Sequence, residues 1–229
     1  MKKRSMETIK KSLLFNGLPE KEIDRIGQIA IAKYFNKGKS IFSEGDDGNG
    51  FYVVSDGLVK IYKISIDGKE QILHILGPGE PFGEVPVFSG QRFPANAETI
   101  TDSHVLFFPR HAFIALITNN PSLALNMLAI LSVRLRQFTT QIENLTLKEV
   151  PARLAAYLIY LAEQQEKEDS VTLDISKGQL ASLLGTVPET LSRMFAKMNS
   201  SGLIEVRGPK IRFLKRIKLK ELAERGRQA

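Results

Sequence analysis

From Gly38 to Arg110 the apolar residues come in short runs, Phe51-Tyr52-Val53-Val54, Leu58-Val59-Lys60-Ile61-Tyr62 and Ile72 to Leu76, punctuated by Gly45, Gly57, Gly68, Gly77, Gly83 and Gly90. β-Branched and aromatic runs broken by turn residues about every 8 to 12 positions predict short antiparallel strands closing into an all-β barrel or roll. Asp67-Gly68, between the runs Leu58–Ile66 and Lys69–Leu76, predicts a hairpin with a two-residue turn. Ahead of the roll, Met6 to Asn16 and Glu20 to Ile31 have the pattern of short amphipathic helices.

A different period takes over at Pro121. Proline suits a first helical turn, and neither Gly nor Pro recurs until Pro151, which predicts one long helix over Pro121 to Leu147. Leu128, Leu131, Leu135, Phe138, Ile142 and Leu145 are spaced 3, 4, 3, 4 and 3, a heptad seam flanked by Arg134, Arg136, Gln137, Gln141 and Glu143. Such a stripe is buried either against a second copy of the helix, giving a parallel dimer, or against the chain's own roll. The polar flanks on both sides of a single seam favour the dimer.

Past Val150-Pro151 the pattern breaks into shorter pieces. Ala152 to Gln164 reads as a helix with Leu154, Leu158 and Leu161 on one face, and Val171 to Ile175 as a strand. Ser176 can cap a helix over Lys177 to Leu184. Gly185-Thr186-Val187 makes a tight turn, and Pro188 opens a second helix stopped by Gly202. Two short helices joined by a Gly-containing turn make a helix-turn-helix. Leu203 to Val206, the turn Arg207-Gly208-Pro209 and Lys210 to Leu214 then read as a hairpin wing. The expected class is α+β: an N-terminal β-roll (double-stranded β-helix, or jelly-roll) over 1–120, a dimerisation helix over 121–147 and a winged helix-turn-helix over 148–229.

Charge sharpens this division. The 229-residue chain carries a net charge of +7, yet residues 1–173 hold 20 basic and 20 acidic side chains, and residues 174–229 hold 12 and 5. A neutral body with a basic end implies a polyanion-binding module joined to something else, because clustered cations set up a local positive field. The absence of cysteine excludes a disulfide framework, a thiolate zinc site and a cysteine-ligated iron–sulfur cluster. The longest apolar run, Leu154 to Ala162, is well short of the ~20 residues of a membrane span. Met1 to Arg4 lead into polar residues rather than an apolar signal core, so a cytoplasmic location without membrane partners is expected.

Signals for catalysis are poor. Gly77-Pro78-Gly79-Glu80-Pro81-Phe82-Gly83 resembles a dinucleotide fingerprint but is one residue too long and leads into no predicted helix. Glu80 and Glu84 have no evident acid–base partner, so the chain is not expected to be an enzyme. Reading chemistry is better represented. Glu189, Ser192 and Arg193 are three and four apart on one face near the start of the second helix, where Arg can donate to guanine O6 and N7 and Glu can accept from cytosine N4. Ser176, Lys177 and Lys197, with Arg207, Lys210 and Arg212 of the wing, are candidates for phosphate contact with double-stranded DNA.

At this point a resemblance can be stated. Gly38-Lys39-Ser40-Ile41-Phe42-Ser43-Glu44-Gly45-Asp46, Phe51 to Gly57 and Pro78 to Glu84 resemble the cyclic-nucleotide-binding β-roll. With the long helix and Pro188-Glu189-Thr190-Leu191-Ser192-Arg193, the chain resembles a CRP/FNR-type transcription regulator over nearly its whole length. The resemblance implies a homodimer on a palindromic site, RNA polymerase as a partner, and an effector in the roll acting through the long helix. It also implies that Glu189, Ser192 and Arg193 read bases, in the form found in the FNR branch.

In that family, members that bind cyclic AMP use a Gly-Glu pair for the ribose, an Arg-Ser pair for the phosphate and a Thr on the long helix for the purine. Gly83 and Glu84 match the first pair. The phosphate pair is replaced by Gln91-Arg92-Phe93-Pro94-Ala95 in a shorter loop, and the purine Thr by Phe138. The implied effector pocket therefore includes Gly83, Glu84, Arg92 and Phe138, with a small effector other than cyclic AMP. Arg92 to Glu98 and Leu131 to Leu147 are also similar to regulators of nitric-oxide and nitrosative-stress responses, some of which are thought to use haem. On that resemblance His74 is the axial-ligand candidate among His74, His104 and His111, and no other metal is expected. The alternatives are a cyclic-nucleotide-binding regulatory module without direct base reading, and a cupin-like enzyme requiring a metal site.

Overall fold

The computed structural model describes residues 2–224. The chain begins with α1 (Lys2–Lys11), a short 3-10 helix (Leu13–Phe15) and α2 (Glu20–Ile29). The strands β1 (Ile31–Phe35), β2 (Ser40–Phe42), β3 (Gly50–Asp56), β4 (Val59–Ile64), β5 (Glu70–Leu76) and β6 (Pro81–Phe82) follow. Then come α3 (Val85–Ser89), β7 (Asn96–Thr99), β8 (Ser103–Pro109), α4 (Arg110–Asn119) and α5 (Pro121–Leu147). Among the described residues these strands form two antiparallel sheets, ordered β1-β8-β3-β6 and β2-β7-β4-β5.

The roll has two cores because β3 and β8 are apolar on both faces. Tyr52, Val54 and Val105 point into the roll with Phe42, Val59, Leu76, Phe82, Phe93 and Ala97. The alternate positions Phe51, Val53, Leu106 and Phe108 point the other way and are covered by Ile9, Leu14, Phe15, Ile23, Ile26, Phe113, Leu123 and Met127 from the helices. A period of two along a strand sends successive side chains to opposite faces, so an uninterrupted apolar run demands cover on both.

The hairpin of β4 and β5 forms as expected, but its turn differs. Gly68 N–H donates to Ser65 O (2.9 Å) and Ser65 N–H to Lys69 O (3.0 Å), so the reversal centres on Ile66-Asp67. Gly68 follows it in the left-handed conformation (φ 77°) as the bulge residue of a longer loop.

The chain divides into two compact units, residues 1–135 and 136–229, with the boundary inside α5. The physical reason is that the first half of α5 is part of the roll: Leu123 and Met127 are buried in its helix-covered core, with Ile130 and Leu131 packed against it.

The second unit comprises the end of α5, α6 (Val150–Gln164), β9 (Ser170–Thr172), α7 (Lys177–Leu183), α8 (Pro188–Ser200), β10 (Ile204–Arg207), β11 (Lys210–Phe213) and α9 (Arg216–Glu224). Its sheet runs β10-β11-β9, and Leu154, Leu158, Leu180, Leu191, Phe195, Ile204, Ile211 and Leu219 share one core. The expected strand over Val171 to Ile175 is cut to Ser170–Thr172, where pairing with β11 ends and Leu173 N–H turns to Pro209 O (2.9 Å). The terminal basic segment is helical as α9 because Leu219 and Ala223 are buried in that core; Arg225 and Arg227 lie outside the described residues. Among the described residues no single helix is long and apolar enough to cross a membrane.

Candidate functional site

The described part of the basic segment that begins at residue 174 folds within the second unit. Ser176 caps α7 in a reciprocal box: its hydroxyl accepts from Gln179 N–H (3.2 Å), and the Gln179 side-chain oxygen accepts from Ser176 N–H (2.9 Å). A hydroxyl that accepts in this way can also donate one further bond. α7 stops where Gly185 takes φ 63°, with Gly185 N–H bonded to Ser182 O and Thr186 N–H to Ala181 O. That closure requires a left-handed residue, which glycine adopts without steric cost. Val187 is extended and Pro188 opens α8.

α8 buries Leu191, Phe195 and Met198, so the helical period leaves Glu189, Ser192, Arg193 and Lys197 exposed on the opposite side. The i,i+4 spacing of Glu189 and Arg193 permits an ion pair, but the Arg193 guanidinium donates instead to Thr190 Oγ1 (3.1 Å). Lys177 is exposed at the start of α7, with its ammonium 5.6 Å from the centre of the Phe195 ring. The wing packs beside α8, where Val206 N–H donates to Asn199 Oδ1 (3.2 Å). In the β10–β11 ladder Arg207 faces Lys210 and Glu205 faces Arg212, while Ile211 and Phe213 turn inward. Arg207, Lys210 and Arg212 therefore share one outer face, joined by Glu205, which accepts from Arg207 (2.7 Å).

In the first unit Gly83 and Glu84 connect β6 to α3. Glu84 is buried, and its carboxylate accepts from Arg134 of α5, whose second terminal nitrogen donates to Pro81 O (2.6 Å). Sequence reasoning placed Arg134 only as a polar flank. The signal was present: Arg134 continues the stripe Leu123, Met127, Ile130 at spacings of 4, 3 and 4, and a cation on a buried stripe must find an anion. Glu80 lies nearby. Burial opposes its ionisation, but His74, the Gly77 N–H and the charge of Arg134 outweigh it and hold the carboxyl below its ordinary range.

Arg92 and Phe138, the other expected pocket residues, are less enclosed than Glu84. Arg92 is not turned into the roll; its side chain is 71% exposed and pairs with Asp47 (3.1 Å). Phe93 is inside instead, stacked on Phe42 with ring centres 3.7 Å apart and adjacent to Gly83. Its backbone is tied to the β2–β3 loop, donating to Asp46 O (3.0 Å) and accepting from Gly45 (2.9 Å), and that fixes which of the two neighbours faces inward. Phe138 lies one turn of α5 beyond Arg134 and is partly exposed. His74 Nε2 is 3.7 Å from Glu80 Oε1. A carboxylate beside one imidazole nitrogen leaves Nδ1 as the other atom able to take a ligand. Among the described residues no three His, Asp or Glu side chains form a group that could hold a metal ion.

The seam on α5 divides. Leu128, Leu135 and Ile142 are 58%, 68% and 63% exposed, and Phe138 is the least exposed of the outward group, whereas Leu131 packs on the roll core and Leu145 is partly buried. Leu125 and Val133, outside the heptad positions, are also exposed.

A β-roll continued by a long helix and followed by a winged helix-turn-helix with a cationic outer face defines a DNA-binding regulator that carries an effector-binding domain. The family models agree: residues 32–120 match the cyclic nucleotide-binding domain and residues 152–222 the Crp-like helix-turn-helix domain. The chain belongs to the CRP/FNR family of transcription regulators, and is not an enzyme. It is 33% identical over 201 residues to the cyclic AMP receptor protein of Thermus thermophilus, covering 88% of this chain and 91% of that one. It is 28% identical over 213 residues to the fumarate and nitrate reduction regulatory protein of Vibrio cholerae, covering 90% and 84%. Among solved structures, FixK2 from Bradyrhizobium japonicum superposes with a TM-score of 0.76 at 25% identity, over 85% of this chain and 97% of that one.

Proposed function

We propose that the chain is a homodimeric transcription regulator that reads a palindromic DNA site, with RNA polymerase as its further partner and a small organic effector in the β-roll acting through α5. The observation that carries base reading is the exposed row Glu189, Ser192, Arg193 and Lys197 on α8, beside a wing face bearing Arg207, Lys210 and Arg212. Arg193 pairs with guanine and Glu189 with cytosine in the major groove, and Ser192 contacts the base between them or its methyl group. Ser176, Lys177, Lys197 and the wing cations hold the phosphates. Two copies joined along the exposed leucines of α5 bring two such surfaces to a two-fold site.

The effector is inferred to lack a cyclic phosphate. Arg92, the cation that the family resemblance would offer a cyclic phosphate, is turned outward to Asp47 while Phe93 fills the roll, and an anion desolvated without a partner is strongly disfavoured. Glu84, already bonded to Arg134, would offer a hydroxyl-bearing ligand a site on the other side. Relatives named for cyclic AMP make that nucleotide the first compound to test.

Selection from a random pool of duplexes tests the reading. A palindromic consensus is expected, with affinity falling on the order of a thousandfold between 50 and 200 mM salt if six or more phosphates are engaged. Arg193→Ala should cost roughly 1 to 3 kcal/mol on the selected site and little on random DNA, whereas Lys177→Ala should weaken both alike. Equal loss on both duplexes for Arg193→Ala would remove the base-reading role. Saturable binding of cyclic AMP by calorimetry, or a Soret band lost in His74→Ala, would overturn the effector assignment.

A further inference from the structure

Arg193 is a long side chain at an exposed position, and an unrestrained arginine must give up several rotamers when it docks on a base edge. In this structure it is already held. Thr190, one turn earlier on α8, presents Oγ1 at 3.1 Å from a terminal nitrogen of Arg193, and Glu189, which the helical spacing equally allows, is not the partner. Thr190 is partly buried at the third position of the helix, and its branched Cβ limits its own rotamers. A hydroxyl leaves the guanidinium positively charged and commits one of its five N–H donors, so a parallel pair of donors stays available for O6 and N7 of guanine. A bond to Glu189 would have neutralised Arg193 and withdrawn the carboxylate as well.

We propose that Thr190 is a positioning residue that pre-orients Arg193 for guanine and thereby sharpens discrimination between bases. This rests on the base-reading role proposed for Arg193. Removing the hydroxyl restores the rotamer entropy that docking must then overcome, and the loss falls only on DNA for which Arg193 makes a base contact. Ordering one rotamer-rich side chain at an interface corresponds to roughly a two- to tenfold change in affinity.

The test compares the full-length protein with Thr190→Val, Thr190→Ser, Arg193→Ala and Thr190→Val/Arg193→Ala. Binding is measured by fluorescence anisotropy to a duplex selected from a random pool and to its scrambled counterpart, with melting temperatures as a check on folding. Thr190→Val keeps the shape of the side chain and is expected to lower the preference for the selected duplex roughly two- to tenfold, leaving affinity for the scrambled duplex and the melting temperature unchanged. Thr190→Ser should restore the preference, and the double variant should equal Arg193→Ala alone, since coupled residues are not additive. Equal weakening on both duplexes would mean that Thr190 binds a phosphate instead. That result, an unchanged preference, or additive losses in the double variant would overturn the proposal. An Arg193→Ala variant with native preference would overturn the base-reading role and this proposal together, a pattern distinct from failure of Thr190→Val alone.

Discussion

Arg134 of α5 donates to the carboxylate of Glu84, fifty residues earlier in the chain, and to the carbonyl oxygen of Pro81. The contact ties the long helix to the β6–α3 connection, which carries the Gly83-Glu84 pair. Both charges are largely withdrawn from water, with side-chain exposures of 16% and 7%, so each depends on the other for compensation.

Arg134→Met is therefore expected to destabilise the roll by about 3 kcal/mol, because it leaves Glu84 buried without its cation. Urea unfolding followed at the roll's tyrosines measures it. Adding Glu84→Gln to the same protein should recover most of the loss; a double variant no more stable than Arg134→Met would mean the pair is not coupled.

The exposed seam gives a second expectation. Leu135 and Ile142 contribute little to the folding of one copy, since more than half of each side chain is open to solvent. Ile142→Glu should leave the melting of the second unit nearly unchanged while converting a micromolar dimer to a monomer in sedimentation velocity. A native protein that sediments as a monomer under those conditions would remove the dimer.

Tyr157 on α6 sets an alkaline limit for the second unit. Burial pushes its hydroxyl up from 10.0 to about 12, with the charges of Asp174 and Tyr160 adding to it. The folded form thus keeps its proton to higher pH than the unfolded chain, and stability falls as pH rises from 10 toward 12. Tyr157→Phe should lose less stability than the native protein over that window in denaturant titrations, and should match its pH dependence below pH 9.

Glu166 carries a left-handed backbone (φ 51°) at the end of α6, where Lys167 N–H reaches back to Ala162 O (2.9 Å). A side chain there is strained, and the position is one that helices usually give to glycine. Glu166→Gly should raise stability by roughly 1 kcal/mol, the relieved strain exceeding the entropy that glycine adds to the unfolded chain. Thermal melting of the purified variant checks it, and a lower melting temperature would contradict the assignment.

Much of the architecture is legible in the chain itself. The helix-turn-helix could be read because its boundaries are set locally: Ser176 caps, Gly185 and Gly202 close helices through left-handed turns, and Pro188 starts one. The exposed row on α8 followed from the same local period. By contrast, the turn forms at Ile66-Asp67, one step before the Asp67-Gly68 pair, and α9 has no local signal because its burial against α6 comes from residues more than fifty positions away.

The sequence by itself determined the class of protein, because alternation, heptad spacing, caps and the charge concentrated in residues 174–229 are properties of neighbouring residues. Only the tertiary structure decided the chemistry inside the roll. Arg92 and Phe93 are adjacent, and which of them faces Gly83 depends on the backbone bonds of Phe93 to Gly45 and Asp46. Glu84 and Arg134 become partners because the helix-covered core takes in the first half of α5, and Arg193 turns to Thr190 rather than Glu189. Spacing along a chain says which residues share a face; it does not say which of several permitted partners a side chain will take, since that is settled by desolvation and geometry in the folded state.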